Sequence, residues 1–270
     1  MSKQSLPNTS FQTRREQILQ LIQQQGECTI DALASKFDVS GMTIRRDLQD
    51  MVNDGQVIRT HGGATLAPKV SFEFRFLERV HQQSKEKEEI ALQAVSFIRP
   101  GQTVLLDSST TTLVIARKLI SIPDLTVITT SLPIASELYG QPGITVMLLG
   151  GVLRSDSPDL TGALTENCLE QIRADIAFIG ADAIDLSGHV YNINPEIGRM
   201  LKKMAASASR VYAVADHTKI GKHALMRFAR ITDWLGLITD SGVNRKSASQ
   251  LRRAGVNLIT PASSSKASST

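Results

Sequence analysis

Cysteine is nearly absent. Cys28 and Cys168 are the two thiols in 270 residues, too few and too far apart for a disulfide framework or a thiolate metal site, so both read as buried or incidental. Long apolar runs are missing as well: nothing approaches the roughly 20 residues that a bilayer-spanning helix needs. The opening Met-Ser-Lys-Gln-Ser-Leu-Pro-Asn-Thr-Ser also lacks the apolar stretch of a secretory signal, and a cytoplasmic protein is expected. Charge of one sign is missing where it would be most informative. The chain carries a formal charge of +4, yet residues 1 to 66 hold seven basic and seven acidic side chains. Bulk charge therefore argues for no polyanionic partner; only the placement of individual cations can. No histidine–carboxylate or nucleophile arrangement of the kind a known catalytic mechanism demands is visible, and no metal-ligand set or cofactor is expected.

What remains is an ordinary globular composition, 41% apolar and 21% charged. The length suits two domains, each with its own core. Between Ser40 and Asp50, Ile44 and Leu48, with Met51 just beyond, recur at the four-and-three spacing that lines one helix face. Ser40 caps that helix, and Thr43, Arg45 and Arg46 point away from its apolar face near the N-terminal end. Two guanidinium groups and a hydroxyl at an exposed helix start suit a DNA major groove, although an isolated helix of this kind is more often a solvated face. Upstream, Thr13 to Glu16 forms a capping box, followed by the buried stripe Ile18, Leu19 and Ile22 and a stop near Gly26. Thr29 then caps a short helix through Leu33 and Phe37, and Val39-Ser40-Gly41 turns into the third. The result is a helix-turn-helix. After the Asn53-Asp54-Gly55 turn, Val57 to Thr60 and Ala64 to Leu66 flank His61-Gly62-Gly63 as a two-stranded wing, with Arg59 or His61 set to touch phosphates.

At this point residues 10 to 66 resemble the DNA-binding half of the DeoR family of bacterial transcriptional regulators. The resemblance rests on Arg15-x-x-Ile18, Ala32-Leu33-Ala34, Val39-Ser40, Thr43-Ile44-Arg45-Arg46-Asp47-Leu48, Gly55, Arg59 and His61-Gly62-Gly63-Ala64. It implies that Thr43 to Arg46 face the major groove of operator DNA while the wing steadies the complex. The DNA-contacting set is then Thr29, Ser40, Gly41, Met42, Thr43, Arg45, Arg46, Arg59 and His61. Residues 67 to 84 read as a linker stiffened by Phe72, Phe74 and Phe76.

Residues 85 to 260 alternate short apolar runs with helical patterns, which indicates an α/β domain with a mainly parallel sheet. Strands are expected at Thr103 to Leu106, Leu125 to Thr129, Thr145 to Leu149, Ile176 to Ile179, Val211 to Val214 and Leu235 to Ile238. Polar or glycine residues follow every one: Asp107 with Ser108, Ser109, Thr110, Thr111 and Thr112; then Ser131; Gly150 and Gly151; Asp182; Asp216 with Lys219; and Asp240. The carboxyl ends of parallel strands share one edge, where ligands bind. The hydroxyl-rich loop before a helix favours an anion, Lys219 supplies charge, and Asp107 and Asp182 are set to accept bonds from sugar hydroxyls.

This half is similar to the effector domain of the same family, whose fold is like that of ribose-5-phosphate isomerase and which recognises phosphorylated sugars. The family's Asp-x-Gly-Thr-Thr loop stands here as Asp107 to Thr111, with Ser109 at the glycine. The family's acidic pair near Asn194 is reduced to Pro195-Glu196-Ile197, leaving Glu196 as a candidate contact. A serine-rich tail, 261 to 270, is expected to be disordered. Two functions remain open. One is a homo-oligomeric DNA-binding regulator, a repressor of a sugar operon released by a phosphorylated metabolite. The other is a sugar-phosphate isomerase-type enzyme fused to a DNA-binding domain, with Asp107, Asp182, Glu196 and Lys219 as acids and bases.

Overall fold

The computed structural model describes residues 11–54, 56–66, 76, 79–155 and 157–261. Gly55, Phe72, Phe74 and almost all of the serine-rich tail lie outside the described residues; Phe76 is buried. The chain divides into two compact units, Met1–Glu78 and Arg79–Thr270.

In the first unit, helices α1 (Phe11–Gln25), α2 (Ile30–Phe37) and α3 (Gly41–Asn53) precede a hairpin of β2 (Val57–Arg59) and β3 (Gly63–Leu66). Two of the caps the sequence names are in place, whereas Thr13, read as opening a capping box, lies inside α1, which already begins at Phe11. The Thr29 hydroxyl accepts from Ala32 N at 3.3 Å to start α2, and the Ser40 hydroxyl accepts from Thr43 N at 3.2 Å to start α3. Ile18, Ile22, Leu33, Ile44, Leu48 and Met51 close one apolar core. An additional strand, β1 (Glu27–Thr29), pairs antiparallel with β3, Cys28 opposite Ala64. At three residues it is shorter than any pattern can register, and its last residue doubles as the cap of α2. Gly63 is required where these strands meet: a Cβ there would stand 2.0 Å from Cys28 O.

The second unit is built on seven parallel strands: β4 (Thr103–Leu106), β5 (Leu125–Thr129), β6 (Ile144–Leu148), β9 (Ala174–Gly180), β12 (Ala208–Val214), β14 (Gly236–Ile238) and β15 (Leu258–Ile259). Their spatial order is β15-β14-β12-β9-β4-β5-β6. Successive residues of both orientations are buried in β4 (Val104, Leu105, Leu106) and β9 (Ile176 to Ile179), as a sheet covered on both faces requires. Around it lie α4 (Ser84–Val95), α5 (Thr110–Leu119), α6 (Leu132–Leu138), α7 (Ala163–Glu170), α8 (Pro195–Ala206) and α9 (Arg245–Arg253). Two small antiparallel additions, β7 (Val152–Leu153) with β8 (Leu160–Thr161) and β10 (Ala183–Ile184) with β11 (His189–Asn192) and β13 (Met226–Arg230), are not among the strands the sequence leads one to expect.

The order of the strands positions the site. From β4 the chain builds outward through β5 and β6, then returns to place β9 on the other side of β4 and continues to β12, β14 and β15. The direction of winding reverses between β4 and β9. Helices diverge there, leaving a crevice at the carboxyl ends of those two strands.

Candidate functional site

On the first unit, α3 turns Ile44, Leu48 and Met51 inward with none of their surface exposed, which leaves Met42, Arg45 and Arg46 exposed and Thr43 half-buried beside Ser40. Among the described residues neither Arg45 nor Arg46 has an ion-pair partner. The acidic residues of α3 are disposed otherwise. Asp47 is buried, with Arg14 Nε at 2.6 Å and Arg15 Nε at 3.5 Å, and Asp50 pairs with Arg15. Two negative charges that would oppose a polyanion are therefore matched by α1, which accounts for a unit of zero net charge presenting a cationic helix. Arg59 of the wing donates to Arg45 O at 2.8 Å and lies 3.5 Å from Gln49 Oε1, tying the hairpin to α3. His61 and Gly62 are exposed at the hairpin tip, Gly41 packs against Ile30, and Thr29 is exposed at the start of α2.

On the second unit, the crevice between β4 and β9 holds two adjoining cavities. One, of about 240 Å³, is lined by Asp107, Ser108, Ser109, Thr110, Gly180 and Asp182 together with Arg79, Arg154, Ser157, Asn192 and Asn194. The other, of about 190 Å³, shares Arg79, Ser109, Thr110, Gly180 and Asp182 and adds Thr111, Lys87, Asp216, Thr218 and Lys219. Ser109 caps α5 by accepting from Thr112 N at 3.2 Å, so the amino end of that helix opens on both. The loop is held from beneath by Asp107. This carboxylate is 3% exposed and accepts from Gly180 N at 2.8 Å, Ser109 N at 3.1 Å and Thr112 Oγ1 at 2.8 Å. Burial raises its pKa, and the bonds from Thr112, Ser109 and Gly180 act in the opposite direction. With both oxygens engaged, Asp107 shapes the loop from inside. Gly180 makes the approach of β9 possible: a Cβ there would lie 2.7 Å from Ser109 Cβ and 2.9 Å from Asp107 Oδ2.

The convergence is narrower than the alternation of strands and polar residues suggests. The ends of β4, β9 and β12 meet at the cavities. Ser131 is buried as the cap of α6, and Thr112 is buried beneath the loop. The Gly150 carbonyl accepts from Thr165 Oγ1 at 2.7 Å, and Gly151 packs on Thr161 and Thr165. Glu196 is exposed in the first turn of α8 and lines neither cavity, whereas its neighbour Asn194, which caps α8, does. Arg79, Lys87, Arg154 and Asn192 are additions that sequence reasoning missed. Lys87 stands in the charged run Lys85 to Glu89, where pattern alone does not tell a buried charge from a solvated one, and Arg154 lies three residues beyond the Gly150-Gly151 pair. Lys87 is in fact 4% exposed. Its ammonium donates to Gln82 O at 2.7 Å and to Arg79 O, and burial lowers its pKa to about 8, with Asp216 raising it and Lys219 and Arg79 lowering it.

Two histidine–carboxylate pairs do occur in the fold, though not at the two cavities. His217 Nδ1 stands 2.7 Å from Asp240 Oδ2, and His189 Nδ1 stands 3.0 Å from Asp185 Oδ2. The first pair joins the ends of β12 and β14, 23 residues apart, a distance no local motif spans. Neither histidine lines the two cavities, and Asp240 also accepts from the backbone N–H groups of His217 and Gly242. A larger groove of about 570 Å³ runs along α9 among Arg245, Arg252 and Arg253 and shares no lining residue with the two cavities. Among the described residues no group of acids, histidines and cysteines could hold a metal ion, and no helix is long and apolar enough to cross a membrane.

Residues 14–70 match the family model of the DeoR-like helix-turn-helix domain, and residues 82–241 match that of the DeoR C terminal sensor domain. The chain is 35% identical over 244 residues to the HTH-type transcriptional repressor GlcR of Bacillus subtilis, covering 90% of this chain and 93% of that protein. It is 32% identical over 257 residues to the HTH-type transcriptional repressor CsqR of Escherichia coli, 95% of this chain and 98% of the other. To the glycerol-3-phosphate regulon repressor of Escherichia coli it is 31% identical over 231 residues, 85% and 91% of the two. A solved D-ribose-5-phosphate isomerase in complex with phospho-erythronic acid superposes with a TM-score of 0.39 at 19% identity, over 51% of this chain and 54% of that one, a likeness too slight to transfer chemistry.

Proposed function

The chain belongs to the DeoR family of transcriptional regulators, and from that premise we propose that it represses a sugar-utilisation operon and releases the operator when a phosphorylated sugar metabolite enters the crevice between β4 and β9. The observation that carries this is the pairing of charges on α3. Arg45 and Arg46 are exposed and, among the described residues, without ion-pair partners, while Asp47 and Asp50 are matched by Arg14 and Arg15. The helix can then enter a major groove with Thr43, Arg45 and Arg46 reading base edges, and with Arg59 and His61 near the phosphates. Ser40, Gly41, Met42 and Thr29 flank that contact.

In the second unit the amino end of α5, the hydroxyls of Ser108 to Thr111 and the cations Arg79 and Lys219 suit a phosphate monoester. Asp182, Asn192 and Asn194 supply partners for hydroxyl groups. The same three relatives are named as repressors, one of them of a glycerol-3-phosphate regulon. Regulators that read two-fold operators work as pairs, so the active form is a homo-oligomer in the cytoplasm, and it acts by binding without catalysis.

The test is a gel shift on the DNA upstream of the protein's own gene, with and without a panel of sugar phosphates. Specific retardation that one member of the panel relieves, without turnover of that compound, is expected. Retardation indifferent to every phosphosugar would sink the effector assignment, and equal retardation of unrelated DNA would sink the operator assignment.

A further inference from the structure

Lys87, like Arg154, lines one of the two cavities and is a cation that the function proposed above does not use. It stands in the first turn of α4, yet its side chain turns inward and is buried. An ammonium group has three N–H donors. Two are spent on the main-chain carbonyls of Arg79 and Gln82, at the start of the second unit, just beyond Glu78 where the first unit ends. The third belongs to a group lining the cavity that also holds Thr111, Thr218 and Lys219. Burying a lysine to hold two carbonyls is an expensive way to secure a turn, since a charge removed from water must be compensated. The arrangement is better matched to a ligand that brings its own negative charge.

We infer that Lys87 is the residue through which a bound phosphate grips the opening segment of the second unit: one N–H to the anion, two to the carbonyls of Arg79 and Gln82. This rests on the reading of the crevice as a phosphosugar site and adds the route by which occupancy reaches the chain leading to the DNA-binding unit. The charged groups around the ammonium are Asp216 and Glu86, which favour its protonation, and Lys219 and Arg79, which oppose it. Asp182 lines the same cavity. The pKa of the Lys87 ammonium, about 8, lies below that of a free lysine, so half a unit above that pH most of the ammonium is deprotonated, and an arriving dianion restores the proton. Phosphate binding in that range must therefore take up protons. The phosphate itself contributes with the opposite sign, because a cationic site favours its dianion.

The experiment is calorimetric titration of inorganic phosphate into the full chain, buffered about half a unit above that pKa, in two buffers of unlike ionisation enthalpy. In parallel, tryptic cleavage after Arg79 is followed with and without saturating phosphate. The unmodified chain is expected to take up roughly half a proton or more per phosphate bound, and phosphate should slow cleavage after Arg79 several-fold. Lys87→Arg, permanently charged, should bind phosphate with no proton uptake. Lys87→Met should bind at least about ten-fold more weakly and lose the protection. Binding without uptake in the unmodified chain, uptake that persists in Lys87→Arg, or protection that persists in Lys87→Met would each overturn the inference while leaving the phosphate site standing. No phosphate binding by the unmodified chain would overturn the site and the inference together.

Discussion

Asp47→Ala is the sharpest perturbation the first unit offers, because it separates a buried charge clamp from the DNA-reading face beside it. The carboxylate is 5% exposed, with Arg14 Nε at 2.6 Å and Arg15 Nε at 3.5 Å; those arginines retain 15% and 22% of their side-chain exposure. Removing one partner of a buried pair leaves its guanidinium groups desolvated and unmatched, which costs about 3–5 kcal/mol. Partial exposure of both arginines argues for the lower end, about 3 kcal/mol. A unit of this size is stabilised by only about 3–9 kcal/mol, so the loss is a large share of the whole. At about 4–8 °C per kcal/mol for so small a unit, its transition should fall by roughly 12 °C or more. Scanning calorimetry of the full chain, following the transition that operator DNA raises, gives the measurement. The double replacement Arg14→Met with Asp47→Leu should recover much of the loss, since a well-packed apolar pair can match a buried ion pair. A shift below about 4 °C for Asp47→Ala would refute the clamp and make Asp47 a solvated charge.

Four further outcomes are expected. Arg45→Ala should lose roughly 1–3 kcal/mol of operator affinity in a titrated gel shift, the worth of a bidentate base contact; unchanged affinity removes Arg45 from the interface. Arg59→Ala releases the bond to Arg45 O and should weaken operator binding by about 1 kcal/mol with little change in unfolding temperature, an effect read by fluorescence anisotropy. Gly180→Ala sets a methyl 2.7 Å from Ser109 Cβ and should abolish phosphate binding in a calorimetric titration while operator binding persists. Lys219→Ala should leave operator binding intact and require at least about ten-fold more phosphosugar for release; release at the unmodified concentration would mean that Lys219 does not face the anion.

Local pattern made the first unit legible almost to the residue. Each of its helices carries an amphipathic stripe, α2 and α3 each start on a side-chain cap, and these stripes and caps are determined within four or five residues. The strands β4 and β5 were legible for the same reason, as short apolar runs between turn signals. The site was legible only as an edge. Six polar strand ends are equivalent in sequence, and three of them, after β4, β9 and β12, reach the cavities. Ser131 and Gly151 are indistinguishable from Ser109 and Gly180 until the strand order is known, because the position of a crevice depends on where the winding reverses.

By itself, then, the sequence determined that α3 has a buried face and a cationic end, and that a hydroxyl-rich loop opens α5. Only the tertiary structure decided which charges count. Asp47 and Asp50 are matched from α1, more than 30 residues away in sequence, which leaves Arg45 and Arg46 to face a partner. Lys87, one of several charges in the run Lys85 to Glu89, is buried against the carbonyls of Arg79 and Gln82. The reason is the same in both cases: a side chain's charge is written in the sequence, but its desolvation and its partner are set by elements that meet only in the fold.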